Sequence, residues 1–234
     1  DQENGMLMEQ IKQLHRLLLS GSADSWRVAM ISGSEKVVDA GRLPASLPQT
    51  DGAVPGEQPQ PSKCEFEERI RVSVNTSFAG GAVLLPELPI SERARVLLAA
   101  ELMKSRFLHR EIREIGGAYG AGCSYSHTDH LLTFYSFRDP TPERSVEAFR
   151  RAMQWCRDGD IDQEALNEAK LAVIGAMDAP QDIGWEGLAG LFKHDISDDY
   201  RVALRRAVLD CRDVRGVGEV LLGGELSHCI VGPE

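Results

Sequence analysis

The sequence has no basic stretch. Thirty-six acidic side chains outnumber 26 basic ones, for a formal net charge of -10, and no run of Lys and Arg interrupts that balance. Nucleic acid is therefore not an expected partner. An acidic surface favours basic ligands only weakly. No apolar run approaches the roughly 20 residues that a bilayer-spanning helix requires, so a membrane is not an expected partner either. The cysteines make no framework: Cys64, Cys123, Cys156, Cys211 and Cys229 follow no repeated spacing, and the odd count leaves at least one unpaired. That is the usage of free thiols in a reducing compartment. No methionine precedes Asp1 and no stretch has the character of a signal or transit peptide, so the chain reads as part of a longer polypeptide. Catalytic signatures are scarce as well. There is no G-x-S-x-G elbow for a nucleophile, and the one glycine cluster has neither the G-x-G-x-x-G spacing nor the Lys-Ser/Thr ending of a phosphate cradle.

What remains is an ordinary globular composition, with 42% hydrophobic and 26% charged residues, in a chain long enough to bury a substantial core. Leu7, Ile11, Leu14 and Leu18 mark one face of a helix over Met6 to Leu19. A buried strand is expected at Trp26 to Ile31 and a short helix at Ser34 to Ala40. Residues 1–40 thus form a helix and strand leading into the domain. From Gly41 to Lys63 the chain carries Pro44, Pro48, Pro55, Pro59 and Pro61 among small and polar residues. Such a stretch cannot bury enough surface to offset its ordering entropy, and residues 41–63 are expected to be a disordered insertion. Residues 64–234 make the main domain.

Within that domain, Ile70, Val72, Val74, Thr76 and Phe78 alternate with polar residues, which predicts one strand with a buried and a polar face, broken by Gly80-Gly81. Ser91 is placed as the cap of a helix running to about Ile112. Two strands, Gly117 to Ser126 and His130 to Arg138, read as a hairpin joined by a polar turn. Thr141 with Pro142 starts a helix whose buried face is Val146, Phe149, Met153 and Cys156. Asp162 caps another, with Leu166, Ala169, Val173 and Met177 facing inward. Helices are expected at Ile183 to His194, Ser197 to Leu209 and Arg212 to Leu222, and a last strand at Ser227 to Val231. Clustered strands with helices massed behind them predict an α+β fold, its mainly antiparallel sheet covered by helices on one side.

The candidate chemistry sits where the long helix meets the glycine cluster, in LHREIREIGGAYGAGCSY over Leu108 to Tyr125. Gly116, Gly117, Gly120 and Gly122 make a bend and an accessible strand edge cheap. Tyr119 is the one large side chain in that run, and Arg113 ends the preceding helix. Both are hydrogen-bond donors able to polarise a carbonyl or stabilise an oxyanion without changing protonation state. The alternative is that Arg113 pairs with Glu111 or Glu114 while Tyr119 only packs. Cys123, His127 and His130 lie close in sequence, but their spacing matches no zinc signature, and a strand would turn two of them to different faces.

The segments FLHREIREIGGAYGAG at Phe107 to Gly122, YSFRDP at Tyr135 to Pro140, AMQW at Ala152 to Trp155 and EAKLAVIGAMDAP at Glu168 to Pro180 together resemble the C-terminal part of presequence proteases. These form the mitochondrial and plastid branch of the pitrilysin family of zinc metallopeptidases, which also includes falcilysin. The resemblance implies a pitrilysin-type α/β domain, the fourth in a chain whose two halves close around a chamber that digests unfolded peptides, in the mitochondrial matrix or the plastid. It implies zinc bound by the N-terminal half through an H-x-x-E-H motif that is absent here, so this chain would hold no metal and be inactive alone. Its expected partners are that N-terminal half and unfolded peptide substrates. The Arg and Tyr that the family brings to the active site correspond to Arg113 and Tyr119, with Gly116, Gly117, Ala118 and Gly120 along the bound peptide. Phe137 stands where the family usually has Tyr. The alternative function is a non-catalytic structural or peptide-binding subunit of the same fold.

Overall fold

The structure is a computed structural model that describes residues 8–13, 66–180 and 197–233. Residues 8–13 are helical, inside the helix expected over Met6 to Leu19. The rest of that helix, the strand Trp26 to Ile31, the helix Ser34 to Ala40, the insertion Gly41 to Lys63 and the helix Ile183 to His194 lie outside the described residues. The chain divides into two compact units, Asp1–Ser62 with Gln181–His194, and Lys63–Pro180 with Asp195–Glu234. The second carries the sheet.

Five strands order as β1-β5-β2-β4-β3: β1 Glu67–Arg71, β2 Ser77–Leu84, β3 Gly120–Ser126, β4 Leu131–Asp139 and β5 Leu226–Gly232. All pairs are antiparallel except β1 with β5. The described helices are α1 Ile90–Leu102, continued by a π-helical segment Met103–Glu114, then α2 Pro142–Asp158, α3 Gln163–Met177, α4 Asp198–Asp210 and α5 Gly218–Leu222. The α+β fold with a mainly antiparallel sheet is therefore as the sequence predicts.

Three local expectations are corrected. The alternation over Arg69 to Phe78 is not one strand. β1 stops at Arg71, the Val74 amide donates to the Val72 carbonyl across 2.8 Å in a three-residue turn, and β2 starts at Ser77. β1 is an edge strand, and all five of its residues are exposed. Gly80-Gly81 does not break the sheet. β2 runs through both residues, paired to β4 and β5 on its two sides. A Cβ at Gly81 would lie 3.2 Å from the Phe149 ring and 3.0 Å from the Leu226 side chain, so glycine there admits the core rather than ending the strand. Ser91 does not cap α1. The helix begins one residue earlier after Pro89, whose carbonyl accepts the Arg93 amide, while the Arg93 Nε donates to the Leu88 carbonyl across 2.6 Å.

The core lies between the sheet and the helices. Phe149 of α2, fully buried, stacks on Phe134 of β4 with ring centres 5.2 Å apart. Val146, Met153 and Cys156 are buried beside it, and Leu166 and Ala169 of α3 join them. Pro142 occupies the first position of α2 as expected, yet the Thr141 hydroxyl makes no capping bond; the Thr141 amide donates to Asp139 Oδ1 at 2.8 Å instead. Asp162 does cap α3, accepting from the Ala165 amide at 2.7 Å. The helix expected over Arg212 to Leu222 is interrupted: Asp213 accepts the Arg215 amide at 3.0 Å, and a 3₁₀ turn Arg215–Val217 precedes the short α5.

Candidate functional site

The long helix changes winding before it ends. Over Met103–Glu114 it is π-helical, and the Ile115 amide donates five residues back to the Arg110 carbonyl at 3.0 Å. Met103, Leu108 and Ile112 are its buried residues. Their spacings of five and four suit the wider winding, which returns to the same face more slowly than an α-helix. Glu111 is drawn into an ion pair with Arg151 of α2 at 3.0 Å, and the Phe107 and Trp155 rings lie 5.9 Å apart. This end of the helix is thereby tied to α2.

The turn that follows is closed by backbone bonds from the Gly117 amide to the Arg113 carbonyl and from the Ala118 amide to the Ile112 carbonyl, each 3.0 Å. Of its glycines only Gly117 uses the left-handed region, at φ 79. Gly116 is needed for a different reason, since a Cβ there would meet the Ile112 carbonyl oxygen at 2.6 Å. Ala118 is buried, Gly120 is half-buried and Gly117 is exposed. The turn places Arg113 before it and Tyr119 after it, both in solvent, with Tyr119 68% exposed. Among the described residues the Arg113 guanidinium makes no hydrogen bond or ion pair, and nothing bonds it to Tyr119. The pairing of Arg113 with Glu111 is excluded by the Glu111 to Arg151 bridge.

The cation that does meet Tyr119 is one the sequence reading missed. The register between β2 and β4 shifts at Ser77/Phe78, which leaves Arg138 as an extra residue with φ 49. Such a bulge re-aims a side chain out of the alternation. The guanidinium carbon of Arg138 lies 5.7 Å from the centre of the Tyr119 ring and 5.5 Å from that of Phe137. Tyr119 itself meets Phe137 edge-on at 5.8 Å, and its amide donates to the Phe137 carbonyl at 3.1 Å. The one sequence clue was Arg-Asp-Pro at the end of a strand, because Asp139 is buried and its carboxylate caps the turn into α2.

The opposite end of the hairpin is a brace. The Tyr200 hydroxyl lies 2.9 Å from His127 Nδ1, and Arg93 donates to both the Tyr200 hydroxyl and the His127 carbonyl at 3.3 Å. Burial pushes the Tyr125 phenol beside them upward, with the Arg93 cation opposing. Cys123 faces the core, and burial raises its thiol well above the usual range, while Cys156 is pushed up to about 12. A zinc-bound cysteine must be a thiolate. With Cys123 inert and His127 engaged by Tyr200, these residues do not fit a metal site, and no group of three His, Cys, Asp or Glu suited to a metal ion occurs among the described residues.

Comparison with known proteins places this arrangement. The family model described as "PreP C-terminal domain" matches residues 72–214. The mitochondrial presequence protease of Eremothecium gossypii is 35% identical over 185 residues, covering 76% of this chain and 18% of that protein. The corresponding protein of Gibberella zeae is 31% identical over 211 residues, covering 87% of this chain and 20% of its own length. The chain thus spans about a fifth of the length of the curated relatives it matches. Among solved structures, the peptidase M16 inactive domain from Pseudomonas fluorescens superposes with a TM-score of 0.55 at 17% identity, over 75% of this chain and 47% of that one. The periplasmic protease PqqL from Escherichia coli does so with a TM-score of 0.56 at 14% identity, over 82% and 23%. These last two speak for the fold alone. The sequence match carries the family: it runs from the end of β1 past α4, through the glycine turn and the bulged strand, and the chain belongs to the PreP C-terminal domain family of pitrilysin-type M16 peptidases.

Proposed function

We propose that this chain is the substrate-side domain of a zinc metalloendopeptidase that degrades unfolded peptides such as targeting presequences, and that it works in mitochondria, where its relatives are named as acting. The observation that carries this reading is the pair of unengaged donors flanking one glycine turn. Arg113 has no partner among the described residues and Tyr119 is 68% exposed. A guanidinium and a phenol hydroxyl can both donate to a peptide carbonyl oxygen as negative charge grows on it, and neither has to gain or lose a proton to do so.

β3 supports the same reading, because it ends the sheet and pairs only with β4. An extended peptide can add to such an edge through main-chain hydrogen bonds. Gly116, Gly117, Ala118 and Gly120 then border the peptide without large side chains to obstruct it. The zinc that the family implies does not fit the residues present here. It belongs with the N-terminal half of the longer polypeptide, and the chain alone is expected to be inactive. What this domain does is hold the peptide, orient its carbonyl toward Tyr119 and Arg113, and lend those two donors.

The test is steady-state cleavage of an unstructured peptide by the full-length polypeptide carrying Arg113→Ala or Tyr119→Phe. Loss of a single transition-state donor is expected to lower kcat about 100-fold or more with little change in KM. A normal kcat in both variants would remove Arg113 and Tyr119 from the chemistry.

A further inference from the structure

The uncovered face of the sheet is apolar where a solvated face should be polar. In a sheet with helices on one side only, the other side normally carries polar residues. Here the strand registers align a row across the sheet. Ile70 pairs with Val231, Val231 with Phe78, Phe78 with Phe137, and Phe137 with Gly120, whose neighbour Tyr119 finishes the row. The Phe78 and Phe137 rings are 5.4 Å apart and the Phe137 and Tyr119 rings 5.8 Å. The next row holds Tyr135, lying over Gly122. Ile70 is 41% exposed, Tyr135 53% and Phe137 38%. Glu68 is the one charged side chain at the open-face positions of the five strands. An exposed apolar surface that is continuous and almost free of charge marks an interface.

We infer that this face is a permanent docking surface for an apolar layer from a neighbouring domain of the same longer polypeptide. The shape argues against the alternatives. A single extended peptide is held by a sheet edge or a groove, whereas this row crosses every strand, which is how a second layer of helix or sheet packs on a sheet. The length argues for the source. This chain is 18% of one curated relative and 20% of another, so most of such a polypeptide lies outside it and can supply the missing layer. The proposal does not depend on the catalytic role of Arg113 and Tyr119.

The experiment is hydroxyl-radical labelling of the full-length polypeptide, read residue by residue by mass spectrometry against the same polypeptide denatured. Tyr135 and Phe137 are expected to label several-fold more slowly than their exposure in the present structure allows. Rates matching that exposure would overturn the proposal. So would protection that disappears on dilution, which belongs to a second copy, or protection that appears only when an unstructured peptide is added, which belongs to substrate. As a second readout, a photoreactive benzoylphenylalanine placed at position 135 is expected to cross-link to another segment of its own polypeptide. Cross-links between two copies would refute the assignment.

Discussion

The two faces of the β3–β4 hairpin are built from adjacent residues and behave oppositely. On the covered face Ala121, Cys123, Tyr125, Leu132, Phe134 and Ser136 are all buried. On the open face Ser124 and Thr133 share a 2.8 Å hydroxyl contact, while Tyr135 and Phe137 remain exposed. Both faces are rich in large side chains, so hydrophobicity alone does not distinguish them. The difference is whether a neighbour fixes each ring. Phe134 is held by Phe149 of α2. Tyr135 rests on the bare backbone of Gly122. A side chain locked on all sides contributes stability to the domain, and one locked on a single side is available to a partner or a substrate.

The largest expected effect breaks the covered face. Phe149→Ala removes a fully buried ring that touches Phe134 and fills the space above Gly81. It should lower the unfolding free energy by about 3–5 kcal/mol, read as a fall in the urea midpoint with an unchanged slope. A loss under about 1 kcal/mol would mean that the core repacks and the ring is not held as described.

Two glycines on opposite faces sharpen the contrast. A Cβ at Gly81 meets Phe149, which has nowhere to go, so Gly81→Val should cost about 1–3 kcal/mol by overpacking. A Cβ at Gly122 would come within 2.4 Å of the Tyr135 ring, a nominally worse clash. That ring is half in solvent and can swing away. Gly122→Ala should therefore stay within about 0.5 kcal/mol of the parent in this chain. If the two variants unfolded at the same midpoint, the open face would be as rigid as the core.

Much of the covered side was legible in the sequence because it obeys regular periods. Val146, Phe149, Met153 and Cys156 recur at helical spacing and are all buried; Asp162 caps as its side chain dictates. The hairpin strands fall within three residues of expectation. What was not legible depended on tertiary context. The alternation from Ile70 to Phe78 looks like a half-buried strand, but burial needs a covering layer, and at the sheet edge there is none. Gly80-Gly81 looks like a break, since the ring that requires it lies 68 positions further on, at Phe149. The switch to π winding was hidden because buried spacings of five and four are tolerated by an α-helix reading as well. At the candidate site, the position of Tyr119 beyond a glycine turn could be read from the chain. Its contact with Arg138 could not, because a bulge defeats strand alternation.

The smallest expected effect lies on the helical layer and asks whether it is a rigid backing for the sheet. Arg205 of α4 donates to Asp178, just past the end of α3, through Nη2 at 2.9 Å and Nε at 3.1 Å. The hydrogen bond from Arg205 holds the Asp178 carboxyl below its usual range, with desolvation opposing. A carboxyl that binds protons less readily folded than unfolded contributes stability that is present above its unfolded pKa and is lost as pH falls through the lower folded value. Both partners are about half exposed, so solvent and salt screen the pair and the effect is small. Asp178→Asn should then melt slightly earlier than the parent at neutral pH, and the difference should vanish on acidification through the carboxylate range. Paired thermal melts over that range provide the check. A difference that persists in acid would show that the asparagine disturbs the end of α3 itself, and that the two helices are joined by packing with no contribution from the ion pair.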